Sequence, residues 1–289
     1  MEYLFHILVI TGIYTILSLS LDVVLGYTGL PALGHISFAA MGAYTSSLLA
    51  LRFGVSPWIG LILGAILSMF FGALISLSST RLKGDYLAIA TFGLGVIVYE
   101  IANNWITLTR GPMGIPGIPG LSVFDFPITH IWQYLIVVII FVGITYAVLS
   151  RIVRSPFGRV LRAIREDEPA AQSLGKNTNK YKVIVFMIGA FFASIAGSLY
   201  AHYITFIDPS SFTPMESITI LLMVVLGGMG TLNGSFIGAS TLIIFPEILR
   251  FIGLPDAIAA PVRQMLYGLL LILLMLKRPQ GVLGKYHWR

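Results

Sequence analysis

Cysteine is absent from the 289 residues, which excludes disulfide bonds and thiol chemistry and leaves the redox compartment open. Charge is scarce too, with 10% Asp, Glu, Lys and Arg against 57% hydrophobic residues. No polar stretch could fold as a separate soluble unit, so one domain over residues 1–289 is expected. Catalytic constellations are missing: there is no nucleophile elbow, no H-E-x-x-H and no pair of carboxylates at useful spacing. No catalytic residue is assigned, and the chain is read as a non-enzyme. His6, His35, His130, His202 and His287 are too scattered for a metal site, so neither metal nor other cofactor is expected. The stretch from Gly29 to Ile36 echoes a phosphate loop, but His35 stands where the lysine should be and Ile36 where the metal-binding hydroxyl should be. If ATP drives this protein, another chain must bind it.

What the sequence does have is long apolar runs: Leu4 to Leu25, Leu30 to Leu51, Trp58 to Leu77, Tyr86 to Thr109, Trp132 to Ser150, Val183 to Tyr203, Ser217 to Leu249 and Val262 to Leu276. As helices they reach across a hydrocarbon core of about 30 Å. The expected fold is an all-α, polytopic membrane bundle of about 8 to 10 segments. The first run lacks the basic start and small-residue cleavage site of a removable signal and is read as a retained span. The formal charge of +6 sits in loops beside spans, where it orients the chain and meets anionic membrane lipid rather than nucleic acid.

Arg81 and Lys83 share one short loop, eight Lys and Arg lie between Arg151 and Lys182, and Lys277, Arg278, Lys285 and Arg289 follow the last run. The positive-inside rule makes these three segments cytoplasmic. The stretch Ser217 to Leu249 must then cross twice or not at all, because a single crossing there would put the basic C-terminal residues outside. As one helix it would be about 50 Å long, too long for one pass. Its middle carries Gly227, Gly228, Gly230 and Gly234, so a broken or re-entrant pair of helices is predicted.

Near the start, VVLGYTGLPALGHISF holds Gly26, Gly29 and Gly34 with Pro31, and both stretches set glycines three residues apart after Val-Leu-Gly begins. Glycine-interrupted segments in two halves of a chain point to a transport site. Gly26, Gly29, Gly34, Gly227, Gly228 and Gly230 are candidate pathway residues, with His35 inside the first stretch. The ladder Gly189, Ala193, Gly197 reads as close helix packing. Glu100 lies inside its apolar run and joins the pathway candidates, whereas Asp22 and Glu247 lie near run ends, where snorkelling suffices. Only Glu100 is clearly interior, which counts against a proton relay. Asp85 is expected to cap the helix after it, and the run Gly111 to Gly120 to form a helix-free outer loop.

The segment Gly158 to Asn177, GRVLRAIREDEPAAQSLGKN, cannot lie in lipid, since each buried Arg or Lys costs about 2.5 to 3.5 kcal/mol. Ser155-Pro156 predicts a helix start, Pro169 its end and the start of a very short second helix, and Gly175 the stop of that one. A helix resting on headgroups is one reading. The acidic run Glu166, Asp167, Glu168 would repel anionic lipid, and a protein partner explains the segment better.

These motifs together resemble one family. The stretches GYTGLPALGHISFAAMGAYT, LKGDYLAIATFGLG, TRGPMGIPGI, GRVLRAIREDEPAAQSLGKNTNKYK, FFASIAGSLYAHY and MVVLGGMGTLNGSFIGA are similar to those of permease subunits of branched-chain amino acid ABC importers, the LivH/LivM family, LivM-type. The resemblance covers nearly the whole chain. It implies residence in the cell inner membrane beside a second, LivH-like permease subunit, two cytoplasmic ABC ATPase subunits and an extracytoplasmic substrate-binding protein. It also implies that residues 151–182 hold the ATPase-coupling element, with Arg159, Arg162, Arg165, Glu166, Glu168, Ala170, Ala171 and Gly175 as coupling residues. The family pattern Glu-Ala-Ala-x-x-x-Gly is altered here by Pro169 after Glu168. Alternatives are a permease of the same family for urea, amides or another small solute, and a self-sufficient secondary transporter.

Overall fold

The computed structural model describes residues 2–79, 85–123, 126–128, 130–250, 265, 268–269 and 281–284. Four helices come first, α1 (Glu2–Leu25), α2 (Ile36–Phe53), α3 (Pro57–Ser79) and α4 (Asp85–Asn104). A short α5 (Ile106–Thr109) then opens a loop with a 3-10 turn at Gly111–Met113 and the two-residue strands β1 (Ile115–Pro116), β2 (Ser122–Val123) and β3 (Phe126–Pro127). There follow α6 (Ile131–Arg154), α7 (Pro156–Glu166), α8 (Glu168–Ser173), α9 (Thr178–Ile204), β4 (Phe206–Ile207), a 3-10 turn at Pro209–Phe212, α10 (Pro214–Gly227) and α11 (Leu232–Arg250). β2 pairs antiparallel with β3, and β1 with β4, which ties the loop before α6 to the one after α9. The run Gly111 to Gly120 is thus less irregular than its glycines and prolines predict.

Among the described residues, six helices are long and apolar enough to cross a membrane: α1, α3, α4, α6, α9 and the stretch 209–227. The fold is an all-α polytopic membrane protein. Most of the run Val262 to Leu276, the basic loop with Arg81 and Lys83, and Lys277, Arg278, Lys285, His287 and Arg289 lie outside the described residues.

Inside a membrane, lipid tails are as apolar as leucine, so helices associate through close packing of small residues and through buried polar groups. Both devices are present. The ladder in α9 packs as expected: a Cβ on Gly197 would collide with the Ala39 carbonyl of α2, and one on Gly189 would lie 2.6 Å from Val24 of α1. Along buried α1, the hydroxyls of Thr11, Thr15, Ser18 and Ser20 donate back to carbonyls of their own helix, and Ser18 also donates to the Ser235 carbonyl of α11 at 3.1 Å. Around this core, α3 and α6 expose aliphatic faces, Ile59, Ile62 and Ile66 on the one and Ile136, Ile140 and Ile144 on the other, as lipid contact requires.

Two sequence expectations change and a third is met. The run Leu30 to Leu51 becomes helical only at Ile36, because Gly29 is left-handed at φ +72°, Pro31 follows it and Leu33 gives its N–H to the Thr91 hydroxyl. The run Tyr86 to Thr109 divides at Trp105, whose φ and ψ of −84° and 68° interrupt the helix. The stretch Ser217 to Leu249 divides at residues 228–231. Gly227 packs against Gly234, and Gly238 against Met223, so α10 and α11 form a tight antiparallel hairpin of arms about 21 and 28 Å long. Val282 and Leu283 donate to the carbonyls of Leu226 and Gly227, which returns the C-terminal residues to the turn of that hairpin. The doubling back required by the charge pattern is therefore present.

Candidate functional site

Ser155 and Pro156 begin α7 where the sequence predicts, although the Ser155 hydroxyl donates backwards to Ile152 at 2.6 Å rather than capping the new helix. Gly158, Leu161 and Ile164 are buried beneath α7, and Arg159, Arg162 and Glu166 are exposed above. Asp167 caps α8 by accepting the Ala170 N–H at 3.0 Å, Pro169 sits in the first turn, and Gly175, at φ +76°, follows its end. The two alanines divide, Ala171 buried and Ala170 exposed, and Leu174 beside them is 79% exposed, an apolar side chain that the sequence analysis passed over. Glu168 meets Lys182 of α9 at 2.6 Å. The pair fastens α8 to the membrane helix that follows it.

Arg165 differs from its neighbours. Its side chain is 15% exposed and turns down into the bundle, where Nη1 donates to the Gly26 carbonyl. A Cβ on Gly29 would lie 2.9 Å from its Cγ, and one on Gly230, left-handed at φ +74°, would lie 2.7 Å from its Nη1. Gly26 and Gly230 touch each other as well: a Cβ on Gly26 would collide with the Gly230 nitrogen. The two glycine-rich stretches thus cross directly beneath the charged helices, and glycine is needed at the crossing because no side chain fits. One carboxylate completes it. Asp22, fully buried one turn before Gly26, accepts the Gly230 N–H at 2.8 Å.

Sequence reasoning missed Asp22 by reading it as an interfacial residue. The available signal was its spacing, since a carboxylate four residues before Gly26 lies on the same helix face as the break. Beside the crossing an open cleft of about 460 Å³ is lined by Tyr27, Tyr146, Arg154, Arg162, Thr231 and Asn233. Among the described residues no group of His, Asp and Glu could hold a metal ion.

The other candidates lie apart. Gly34 packs against the Thr91 carbonyl of α4, and His35, 1% exposed, bonds through Nε2 to the Ser20 hydroxyl at 2.7 Å. Gly227 serves the α10–α11 contact, and Gly228, at φ +112°, lies against Gly284. Glu100 is exposed and accepts from Asn104 Nδ2 at 2.7 Å; because α4 ends at Asn104, it stands one turn from the helix end rather than in mid-span.

The sequence profile of the family described as "Branched-chain amino acid transport system / permease component" matches residues 3–275. The chain belongs to this family. Among related proteins, the high-affinity branched-chain amino acid transport system permease protein LivM of Salmonella typhimurium is 36% identical over 297 residues, covering 94% of this chain and 68% of that protein. The probable LivM of Methanocaldococcus jannaschii is 29% identical over 94% of this chain and 90% of its own length. The LivH permease of Salmonella typhimurium is 23% identical over 99% and 96%. As a permease of this family the protein is a transport subunit.

Proposed function

We propose that this permease is the membrane-spanning subunit of an ATP-driven importer for branched-chain amino acids in the cell inner membrane. In this reading it contributes half of the translocation pathway beside a LivH-like permease, takes substrate from an extracytoplasmic binding protein, and rests on two ABC ATPase subunits in the cytoplasm. The chain crosses in about 8 to 10 segments. On the positive-inside rule the arginine-bearing α7 end of the bundle is assigned to the cytoplasm in this reading, and α1, which ends beside it at Leu25, begins outside.

One observation carries the proposal: α7 and α8 present Arg159, Arg162, Glu166, Ala170 and Leu174 outward, while Arg165, on the same rigid segment, reaches the glycine crossing. An ATPase seated on the outer side therefore has a direct mechanical route to the pathway. Glu168 and Ala171 hold the segment together, and Gly175 frees the chain from it. Gly26, Gly29 and Gly230 form the pivot, Gly227 and Gly228 hold the adjoining α10–α11 turn, and Gly34 and His35 fix the start of α2. Glu100 faces the second permease or the outer mouth.

The test is a pull-down of tagged chain from detergent-solubilised membranes of its native host, comparing wild type with the double variant Arg159→Glu, Leu174→Glu. Co-purification of an ATPase with wild type and its loss from the variant are expected. If the chain comes out alone and moves leucine into liposomes without ATP, it is a self-sufficient transporter and the proposal is wrong.

A further inference from the structure

We infer that Asp22 and Arg165 form a clasp that carries movement of α7 into both glycine breaks at once, with Asp22 as a positioning residue for transport. This rests on the importer reading above, since α7 has motion to transmit only if an ATPase moves it.

The two charges meet at one crossing, both against Gly230, and hold it differently. Asp22 Oδ1 binds the Gly230 N–H at 2.8 Å, which ties the turn between α10 and α11 to the last turn of α1. Arg165 comes from α7, lies along Gly29, donates to the Gly26 carbonyl and packs its Nη1 against Gly230. Gly26, Gly29 and Gly230 have no side chains with which to grip α7 or each other, so at the glycines themselves the hold comes from the Asp22 carboxylate and the Arg165 guanidinium, with the Ser18 hydroxyl donating to the Ser235 carbonyl close by.

The arrangement makes a lever. Leu161 and Ile164 are packed beneath α7, so Arg165 moves with that helix as a rigid arm. Displacing it pulls on Gly26 directly and on Gly230 through contact and through Asp22. A planar guanidinium suits this work, because it presents several fixed donors to two backbones together, whereas a lysine would offer a single flexible point charge. Burying charge is costly unless it is paired, and Arg165 is paired on its outer side, Nη2 donating to Glu166 Oε1 at 3.1 Å, while Nη1 reaches the Gly26 carbonyl. Its direction is explained by the clasp.

The experiment uses the importer purified by a tag on this chain from host membranes, reconstituted in liposomes, with leucine uptake per ATP hydrolysed as the readout. For Arg165→Gln and for Asp22→Ala, the ATPase subunit is expected to co-purify in wild-type yield while uptake per ATP falls roughly tenfold. The double variant is expected to be no worse than either single one, and Arg165→Lys to recover part of the loss; a general loss of stability would instead accumulate. Wild-type coupling in either variant of an intact complex overturns the inference. So does loss of the ATPase from Arg165→Gln alone, which would make Arg165 a docking contact, and so does failure of the two single variants and the double variant to assemble, which would assign the pair to folding. Absence of an ATPase from the wild-type preparation is a different failure, since it rejects the importer reading and the inference with it.

Discussion

The carboxylate of Glu168 lies 2.6 Å from the ammonium of Lys182, with 19% and 8% of the two side chains exposed. The contact joins the first residue of α8 to the second turn of α9, and so it fixes the angle at which the protrusion leaves the bundle. Pro169 interrupts the family's Glu-Ala-Ala order directly after this glutamate. The structure gives Glu168 an inward partner instead of a place on the outer face.

Removing one partner of such a pair leaves the other charge shielded from water and uncompensated. Lys182→Met is expected to lower stability by about 3 kcal/mol, and Glu168→Gln by less, because the amide still accepts a hydrogen bond. Thermal unfolding of the purified chain in detergent measures both. Restoring stability with the double variant Glu168→Gln, Lys182→Met would confirm that the loss comes from the orphaned charge.

A second prediction concerns the loop after α9. Burial acts to raise the Asp208 carboxyl, but hydrogen bonds from Ser210 and from the hydroxyl and N–H of Ser211 outweigh it and hold the group below the usual carboxylate range. A depressed value in the folded state means stability that is fully present above the unfolded carboxylate value of about 3.9 and lost as pH falls through the lower folded value. The loop should therefore stay closed throughout the neutral range and open only in strong acid. Hydrogen exchange at the Ser211 amide reads this directly, and Asp208→Ala should cost about 1 kcal/mol through loss of the cap.

Much of this architecture was legible in the residues. Run lengths gave the long helices, the charge pattern required Ser217 to Leu249 to double back, and Ser155-Pro156, Pro169 and Gly175 marked the limits of α7 and α8. What escaped was relational. Nothing local says that Gly26 and Gly230, more than two hundred residues apart, touch, or that Arg165 turns into the bundle while Arg159 faces outward. Asp22 escaped for the same reason, since its partner is a backbone N–H in the other half of the chain. Glu100 was misjudged in depth because Trp105 is apolar, and composition cannot reveal that the helix stops there.

His35 offers a third prediction. Its Nε2 meets the Ser20 hydroxyl at 2.7 Å, Ser20 donates to the Leu17 carbonyl, and the ring packs edge-on to Phe38. The imidazole therefore ties α1 to the start of α2 inside the protein. His35→Ala should cost roughly 2 to 4 kcal/mol through the lost hydrogen bond and the cavity left behind. In the fraction that folds, the KM for leucine uptake should be unchanged. A raised KM with unaltered thermal stability would instead place the ring against substrate.

The last prediction separates glycines that are needed from those that are tolerated. Gly26 has no room for a methyl group, since a Cβ there would meet Asp22 and the Gly230 nitrogen, and both of those are fixed by their own hydrogen bond. Relief requires the α10–α11 turn to move away from α1, which breaks the Asp22 to Gly230 contact and withdraws Arg165 from its seat. Gly26→Ala should therefore abolish uptake and lower the yield of folded protein. Gly143, in the middle of α6, has nothing within 4 Å of the position a Cβ would take, and its φ is not left-handed. Gly143→Ala should be neutral or stabilising by about 0.5 to 1 kcal/mol, from the helix preference of alanine over glycine. Size-exclusion yield and unfolding temperature of the two variants, measured side by side, test the crossing without any partner present. Equal behaviour of the two would mean that Gly26 and Gly230 do not meet as described.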